Sequence, residues 1–368
     1  MTLWKENWKN NISEVEDVKW QSNQEKLNTL ETVSERYPMS IPEYYYNLID
    51  QKDPLDPIKL LSYPNVFESD LMGNSDTSGE ATNTKLPGLQ HKYNTTVLVL
   101  TTNACFMYCR HCFRKRMVGY SSGEINSRMK ETISYIKGHE EVNNVLLTGG
   151  DSFAMTNNQI DKYLENLVKI EHLDFIRFGT RSLVVFPERI HSDPELLEIL
   201  AKYNRKKKIV IITQFNHPRE LTEEAIKTID MLLELGITIN NQAVLLKGVN
   251  DMPGVLSDLL NGLTRVGINP YYVFQCRPVT AVKKGFQLTL LESLELVKEA
   301  RKSLNGLGKR FRLIMSHVQG KIEIVGTEGN NMIFKFHQAK SKENNERVFI
   351  REIDETGQWL DDELNFKK

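Results

Sequence analysis

Cysteine is scarce in this chain, four among 368 residues, which excludes a disulfide-stapled scaffold. Nothing at the start reads as a signal peptide, so the expectation is a soluble, cytoplasmic chain with reduced thiols. Long apolar runs are also missing. None approaches the roughly 20 residues that span a bilayer, which argues against membrane insertion. Neither sign of charge dominates: 47 Lys and Arg stand against 48 Asp and Glu, and no basic excess advertises nucleic acid. The one basic run, Arg205-Lys206-Lys207-Lys208 ahead of Ile209-Val210-Ile211-Ile212, reads as a solvated corner between a helix and a strand.

What cysteine there is lies concentrated. Cys105, Cys109 and Cys112 fall within eight residues, just after the β-rich run at 96–100. Three thiolates on one loop can hold three corners of a 4Fe–4S cluster and leave one iron open to a substrate or cofactor. A zinc site or redox thiols are the alternatives, but tetrahedral zinc usually takes four N/S ligands, commonly in two pairs. His111 lies between Cys109 and Cys112 and is badly placed to complete a tetrahedron. Cys276 stands far away in sequence and reads as a small buried apolar residue.

The length suits one large α/β domain with appendages. Residues 1–95 read as an N-terminal helical and irregular extension. Residues 4–30 are polar with spaced aromatics, as in surface helices. Ser40-Ile41-Pro42-Glu43-Tyr44 reads as a helix start. The Gly/Ser/Thr/Asp-rich tract 73–83 breaks regular structure and offers little core. From 96 to 285 the pattern is strand, loop, helix, repeated: strands at 96–100, 142–147, 175–178, 208–213, 238–246 and 271–275, with helices between them. This predicts a parallel sheet wrapped by helices, a partial (β/α)6 barrel, with chemistry at the C-terminal strand ends. Residues 286–368 form a C-terminal segment with strand-like pieces at 322–325, 332–336 and 347–353.

Gly149-Gly150-Asp151 ends the second strand, and two glycines there let backbone approach a ligand closely. Alone it could be only a turn. The C-x3-C-x2-C spacing is, however, the signature of the radical S-adenosylmethionine (radical SAM) enzymes. Cys105-Phe106-Met107-Tyr108-Cys109-Arg110-His111-Cys112-Phe113-Arg114-Lys115-Arg116 resembles the cluster loop of the lysine 2,3-aminomutases. So do Pro87-Gly88-Leu89-Gln90-His91-Lys92-Tyr93, Leu147-Thr148-Gly149-Gly150-Asp151 and Arg177-Phe178-Gly179-Thr180-Arg181. Gln214-Phe215-Asn216-His217-Pro218, the stretch 241–251 and Pro270-Tyr271-Tyr272-Val273-Phe274-Gln275-Cys276 match in the same order, over roughly residues 1–325.

The resemblance implies an aminomutase-type isomerase. It would use a 4Fe–4S cluster on Cys105, Cys109 and Cys112, S-adenosylmethionine, pyridoxal 5′-phosphate (PLP), and a reducing partner such as flavodoxin or ferredoxin. S-adenosylmethionine would be cleaved to a 5′-deoxyadenosyl radical that takes a hydrogen from an amino acid substrate, whose amino group then migrates. By the same match Gly149, Gly150, Asp151, Arg181, His217 and Gln242 would bind S-adenosylmethionine. Arg116, His91, Tyr93 and Asn241 would surround PLP, and Lys321 would bind it covalently. The motif before Lys321 is shortened to Gly320, so an exposed turn lysine is the alternative.

Substrate recognition departs from lysine. Arg114 matches the arginine that grips the α-carboxylate, a task that suits a planar fork. Where lysine-specific members carry an aspartate for the distal ammonium, this chain has Arg277, and Ser316 falls near the second such place. An arginine repels an ammonium and favours an acidic or neutral amino acid or a distal anionic group; pairing with Glu292 is the local alternative. Two other readings stay open: a PLP-independent hydrogen-abstracting enzyme (epimerase, dehydrogenase or modifying enzyme), and a cluster-bearing binding protein. The tail is expected to cap the PLP side and support a homo-oligomer.

Overall fold

A computed structural model describes residues 3–17, 24–120 and 123–367. Twelve strands form one sheet in chain order. They are β1 Thr84–Leu86, β2 Leu89–Tyr93, β3 Thr96–Thr102, β4 Asn144–Gly149, β5 Phe175–Gly179 and β6 Lys208–Thr213. There follow β7 Thr238–Leu245, β8 Asn269–Gln275, β9 Arg312–His317, β10 Gly320–Glu328, β11 Asn331–Ala339 and β12 Val348–Glu352. From β3 to β9 every neighbouring pair is parallel. The flanking pairs β1–β2–β3 and β9–β10–β11–β12 are antiparallel.

Six crossovers therefore link the parallel strands, and the fold is an α/β partial barrel. The returning helices start where the sequence caps them. Thr156 and Thr289 make capping boxes with Gln159 and Glu292 ahead of Asn157–Leu167 and Leu290–Lys302. Asp193 caps Pro194–Asn204, which opens on proline, and Thr222 caps Glu223–Glu234. The apolar faces of these helices and the outward residues of the strands make the main core, including Ile176, Phe178, Ile209, Ile211 and Leu260. The inward residues line a cavity instead.

Three expectations are corrected. A seventh parallel strand, β9, lies beyond residue 285, so the sheet continues into the segment assigned to the tail. The segment 4–30 is not merely a surface layer. Trp4, Val15 and Leu30 are buried, and the Trp4 indole Nε1–H donates to Asp193 at 2.9 Å; residues 18–23 of that segment lie outside the described ones. The tract 73–83, read as irregular, includes the short helix Glu80–Asn83, with Glu80 buried.

The sheet does not close. Its edge strands β1 and β12 do not pair with each other. Side chains cross the gap instead: the Lys92 Nζ on β2 donates to the His317 carbonyl at the end of β9 at 2.6 Å. The tail folds back over this region through a two-stranded piece, Trp359–Leu360 with Phe366–Lys367. Among the described residues, no helix is long and apolar enough to cross a membrane.

Candidate active site

The inward faces of the sheet enclose a cavity of about 670 Å³. Cys105, Cys109 and Cys112 all line it, on the loop that leaves β3. The N-terminal extension cradles this loop. Ser40 and Leu61 carbonyls accept from the amides of Tyr108 and Arg110, at 3.1 and 3.0 Å. Phe106 stacks on Phe186, with centroids 4.9 Å apart, and packs against Trp8 at 4.7 Å. Arg110 and Lys115 turn away from the cavity to share the buried Glu68 carboxylate, at 2.5 and 2.6 Å. They anchor the loop.

The three sulfurs suit a cluster better than a single ion. A tetrahedral zinc with Zn–S of about 2.3 Å brings its sulfurs within about 4 Å of each other. Among the described residues, the three cysteine sulfurs do not all lie within 4.8 Å of one another. Burial pushes the Cys112 thiol up to about 11 and Cys105 well above its usual value. A bound cation, which the iron of a cluster would supply, favours their thiolate form.

The glycines after β4 serve the same loop. A Cβ on Gly149, whose φ is +125°, would meet the Thr102 carbonyl at 2.3 Å, and one on Gly150 the Ala104 carbonyl at 2.2 Å. The amides of Gly150 and Asp151 donate to those two carbonyls at 2.6 and 2.8 Å. Asp151 is buried and accepts from Thr180 Oγ1 (2.6 Å) and from the Arg181 and Phe153 amides (2.8 and 2.9 Å). Burial raises its carboxyl above the usual range. Arg181 Nη1 donates to Cys109 Sγ at 3.0 Å, its Nε to the Gln214 carbonyl at 2.9 Å, and its Nη2 to Glu220.

Lys321 enters the cavity from β10, its Nζ 4.6 Å from the centroid of the Tyr93 ring. Burial, with Arg177 and Arg277 nearby, lowers its ammonium to about 7. Arg277 lies over the Phe113 ring at 4.2 Å and donates to Ser316 Oγ at 2.8 Å and to Ser78 Oγ. Among the described residues no carboxylate pairs with it; Glu292 instead caps its own helix. Burial lowers the Arg277 guanidinium to about 10. Arg114 also lines the cavity, but its Nε and Nη2 meet Glu80 at 2.9 and 2.8 Å.

Tyr93 and Gln242 join this lining, whereas four other expected residues do not. Strand alternation explains Asn241: Asn240, Gln242 and Val244 face the cavity, so Asn241 points the other way. There its amide side chain brackets Phe215, accepting from N at 2.6 Å and donating to O at 3.1 Å. His217 caps a short turn, its Nδ1 accepting from the Arg219 amide at 3.2 Å. Arg116 pairs with Glu80 and Glu124, each at 2.7 Å. His91 packs outside against Tyr135 and His139. Sequence reading missed Glu80, Asn240, Ser78 and the cavity-facing Arg177. The tract carrying Glu80 and Ser78 has no periodicity to read, while Asn240 and Arg177 were recoverable from the period-2 alternation of their strands.

Residues 99–259 match the family model described as the Radical SAM superfamily. Together with the open barrel and the three-cysteine loop, this defines a radical SAM enzyme, a class that implies a 4Fe–4S cluster and S-adenosylmethionine. An Aquifex aeolicus (strain VF5) protein named "Putative L-lysine 2,3-aminomutase" is 39% identical over 341 residues, 92% of this chain and 91% of its own length. The L-lysine 2,3-aminomutase of Clostridium subterminale is 36% identical over 73% of this chain and 64% of its own. The glutamate 2,3-aminomutase of Clostridioides difficile (strain 630) is 35% identical over 76% of this chain and 65% of its own. The chain belongs to the lysine 2,3-aminomutase family.

Proposed function

We propose that this radical SAM enzyme is a PLP-dependent 2,3-aminomutase whose substrate carries a distal carboxylate, not the ammonium of lysine. The observation that carries the reading is Lys321: an amine lowered to about 7, set in the same cavity as the three cysteines and without a carboxylate partner among the described residues. A neutral amine at such a place is the nucleophile that holds a carbonyl cofactor. Arg177 supports an anionic one. It lines the cavity, and its Nε is buried without a hydrogen-bond partner.

In the family, the cluster supplies an electron that cleaves S-adenosylmethionine, and PLP, when bound, supplies delocalisation for a radical beside the migrating nitrogen. The chain's own residues bind and orient. Tyr93 and Tyr272 wall the space around Lys321 with apolar rings and keep water from its amine. Arg114 Nη1, the end of this guanidinium that Glu80 does not hold, donates to the Gly149 carbonyl at 3.4 Å and would turn to an α-carboxylate. Arg277, held by Ser78 and Ser316, presents a desolvated cation to the far end of the substrate. The Clostridioides difficile relative acts, by its name, on glutamate, an amino acid of this kind.

Anaerobic reconstitution with iron, sulfide and PLP, followed by assays of glutamate, aspartate, alanine and lysine with S-adenosylmethionine and a strong reductant, tests this. Amino migration on a dicarboxylic amino acid, lost in Arg277→Asp, is the expected result. Ready turnover of lysine by the wild type would sink the substrate reading. 5′-Deoxyadenosine formation with no PLP absorbance would sink the PLP reading and favour a PLP-independent enzyme.

A further inference from the structure

Arg181 is tied at all three guanidinium nitrogens, and only one of those ties reaches the cysteine loop. Nε is fixed by the Gln214 carbonyl and Nη2 by Glu220, leaving Nη1 aimed at Cys109 Sγ, 3.0 Å away. Glu220 is itself fully engaged. Its Oε2 accepts from the amides of Asn216 and His217 at 2.6 and 3.0 Å, and its Oε1 accepts from the Tyr45 hydroxyl at 2.6 Å. Glu220 and Tyr45 are fully buried and Arg181 nearly so. The chain runs from the N-terminal helix Glu43–Tyr46 through the turn Pro218–Glu220 to the loop that would hold the cluster.

We infer that the buried Tyr45–Glu220–Arg181 relay sets the reduction potential of the cluster held at Cys109. Reduction brings in one electron from an external reductant and lowers the cluster's charge by one, with no proton needed. A cation and a hydrogen bond at a cluster sulfur stabilise the reduced form, and removing either makes reduction harder. A carboxylate paired with that cation opposes it, and a hydroxyl donating to the carboxylate weakens the opposition. Burial makes each of these influences larger than it would be in water. Arg181 is then a positioning residue for the electron-transfer step, in addition to its expected place in the S-adenosylmethionine site. Glu220 and Tyr45 tune it from opposite sides.

The test is an EPR-monitored redox titration of the reconstituted enzyme without S-adenosylmethionine, so that effects on its binding do not enter. Iron and sulfide content are measured alongside. Arg181→Met is expected to lower the midpoint by about 59 mV, a tenfold change in a one-electron equilibrium. Arg181→Lys, which keeps the charge, should recover part of that shift. Glu220→Gln should raise the midpoint, and Tyr45→Phe should lower it by less than Arg181→Met. Shifts of Arg181→Met and Glu220→Gln in the same direction, or none in either, would overturn the inference. If Arg181→Met fails to hold iron, Glu220→Gln decides alone, and a midpoint that does not rise overturns it.

Discussion

The amine of Lys321 lies 4.6 Å from the centre of the Tyr93 ring, although the two residues sit on β10 and β2, near opposite ends of an open sheet. Their meeting completes a wall that backbone pairing leaves unfinished. It also desolvates the amine, the leading cause of its lowered pKa, with Arg177 and Arg277 adding to it.

That environment predicts a pH dependence. The folded-state value of about 7 lies below the ordinary lysine value of 10.5, so the free amine is present above about pH 7. Capture of PLP by the apoenzyme, followed by its visible absorbance, should be strong at pH 8 and weaken as pH falls below 7. In the same window the folded state binds fewer protons than the unfolded one, so this group makes stability rise with pH from about 7 to 10.5. Lys321→Ala should abolish the absorbance.

Gly150→Ala should disable the cluster loop. The added methyl group would stand 2.2 Å from the Ala104 carbonyl, and backbone cannot yield as a flexible side chain can. Iron content after reconstitution, measured against the wild type, should fall severalfold while far-UV circular dichroism is retained.

Glu80 neutralises two arginines, Arg114 and Arg116, at 2.8 and 2.7 Å. Burial opposes its ionisation, yet the arginines hold its carboxyl down at about 2. Its contribution to stability is present above the ordinary value of 4.5 and disappears as pH falls through about 2. Glu80→Gln should destabilise the fold by roughly 3–5 kcal/mol, as removal of one partner from a buried pair does, and urea unfolding at pH 7 measures it.

Trp4 is nearly inaccessible and packs edge-on against Phe106 at 6.2 Å, with the Arg189 guanidinium 4.3 Å from its ring. Trp4→Ala should cost about 3–5 kcal/mol by leaving a cavity. Because Phe106 follows Cys105 directly, the same variant should lose iron faster to a chelator, which a timed bipyridine assay reads.

The barrel strands were legible because their apolar runs alternate with capped amphipathic helices. The cysteine loop was legible because its spacing is itself the chemistry. β9 was not, since Arg312–His317 follows an irregular stretch and carries no helix after it to mark a repeat. Glu80 escaped for a different reason: its importance comes from Arg114 and Arg116, more than thirty residues away, and no local pattern reports such a pairing. Asn241 faces away from the cavity that Asn240 and Gln242 line, because neighbouring strand residues point to opposite faces.

The gap that Lys92 on β2 and His317 on β9 bridge carries a last consequence, for how the site is filled. On the proposed function, a flat aromatic aldehyde would have to reach an amine that lies inside a walled space. At the seam the wall is joined by the Lys92–His317 hydrogen bond and by side-chain contact. Parting such a joint costs on the order of 1–3 kcal/mol, whereas peeling a parallel strand from its neighbour would break a whole ladder. Filling by that route would leave every ladder of the barrel intact.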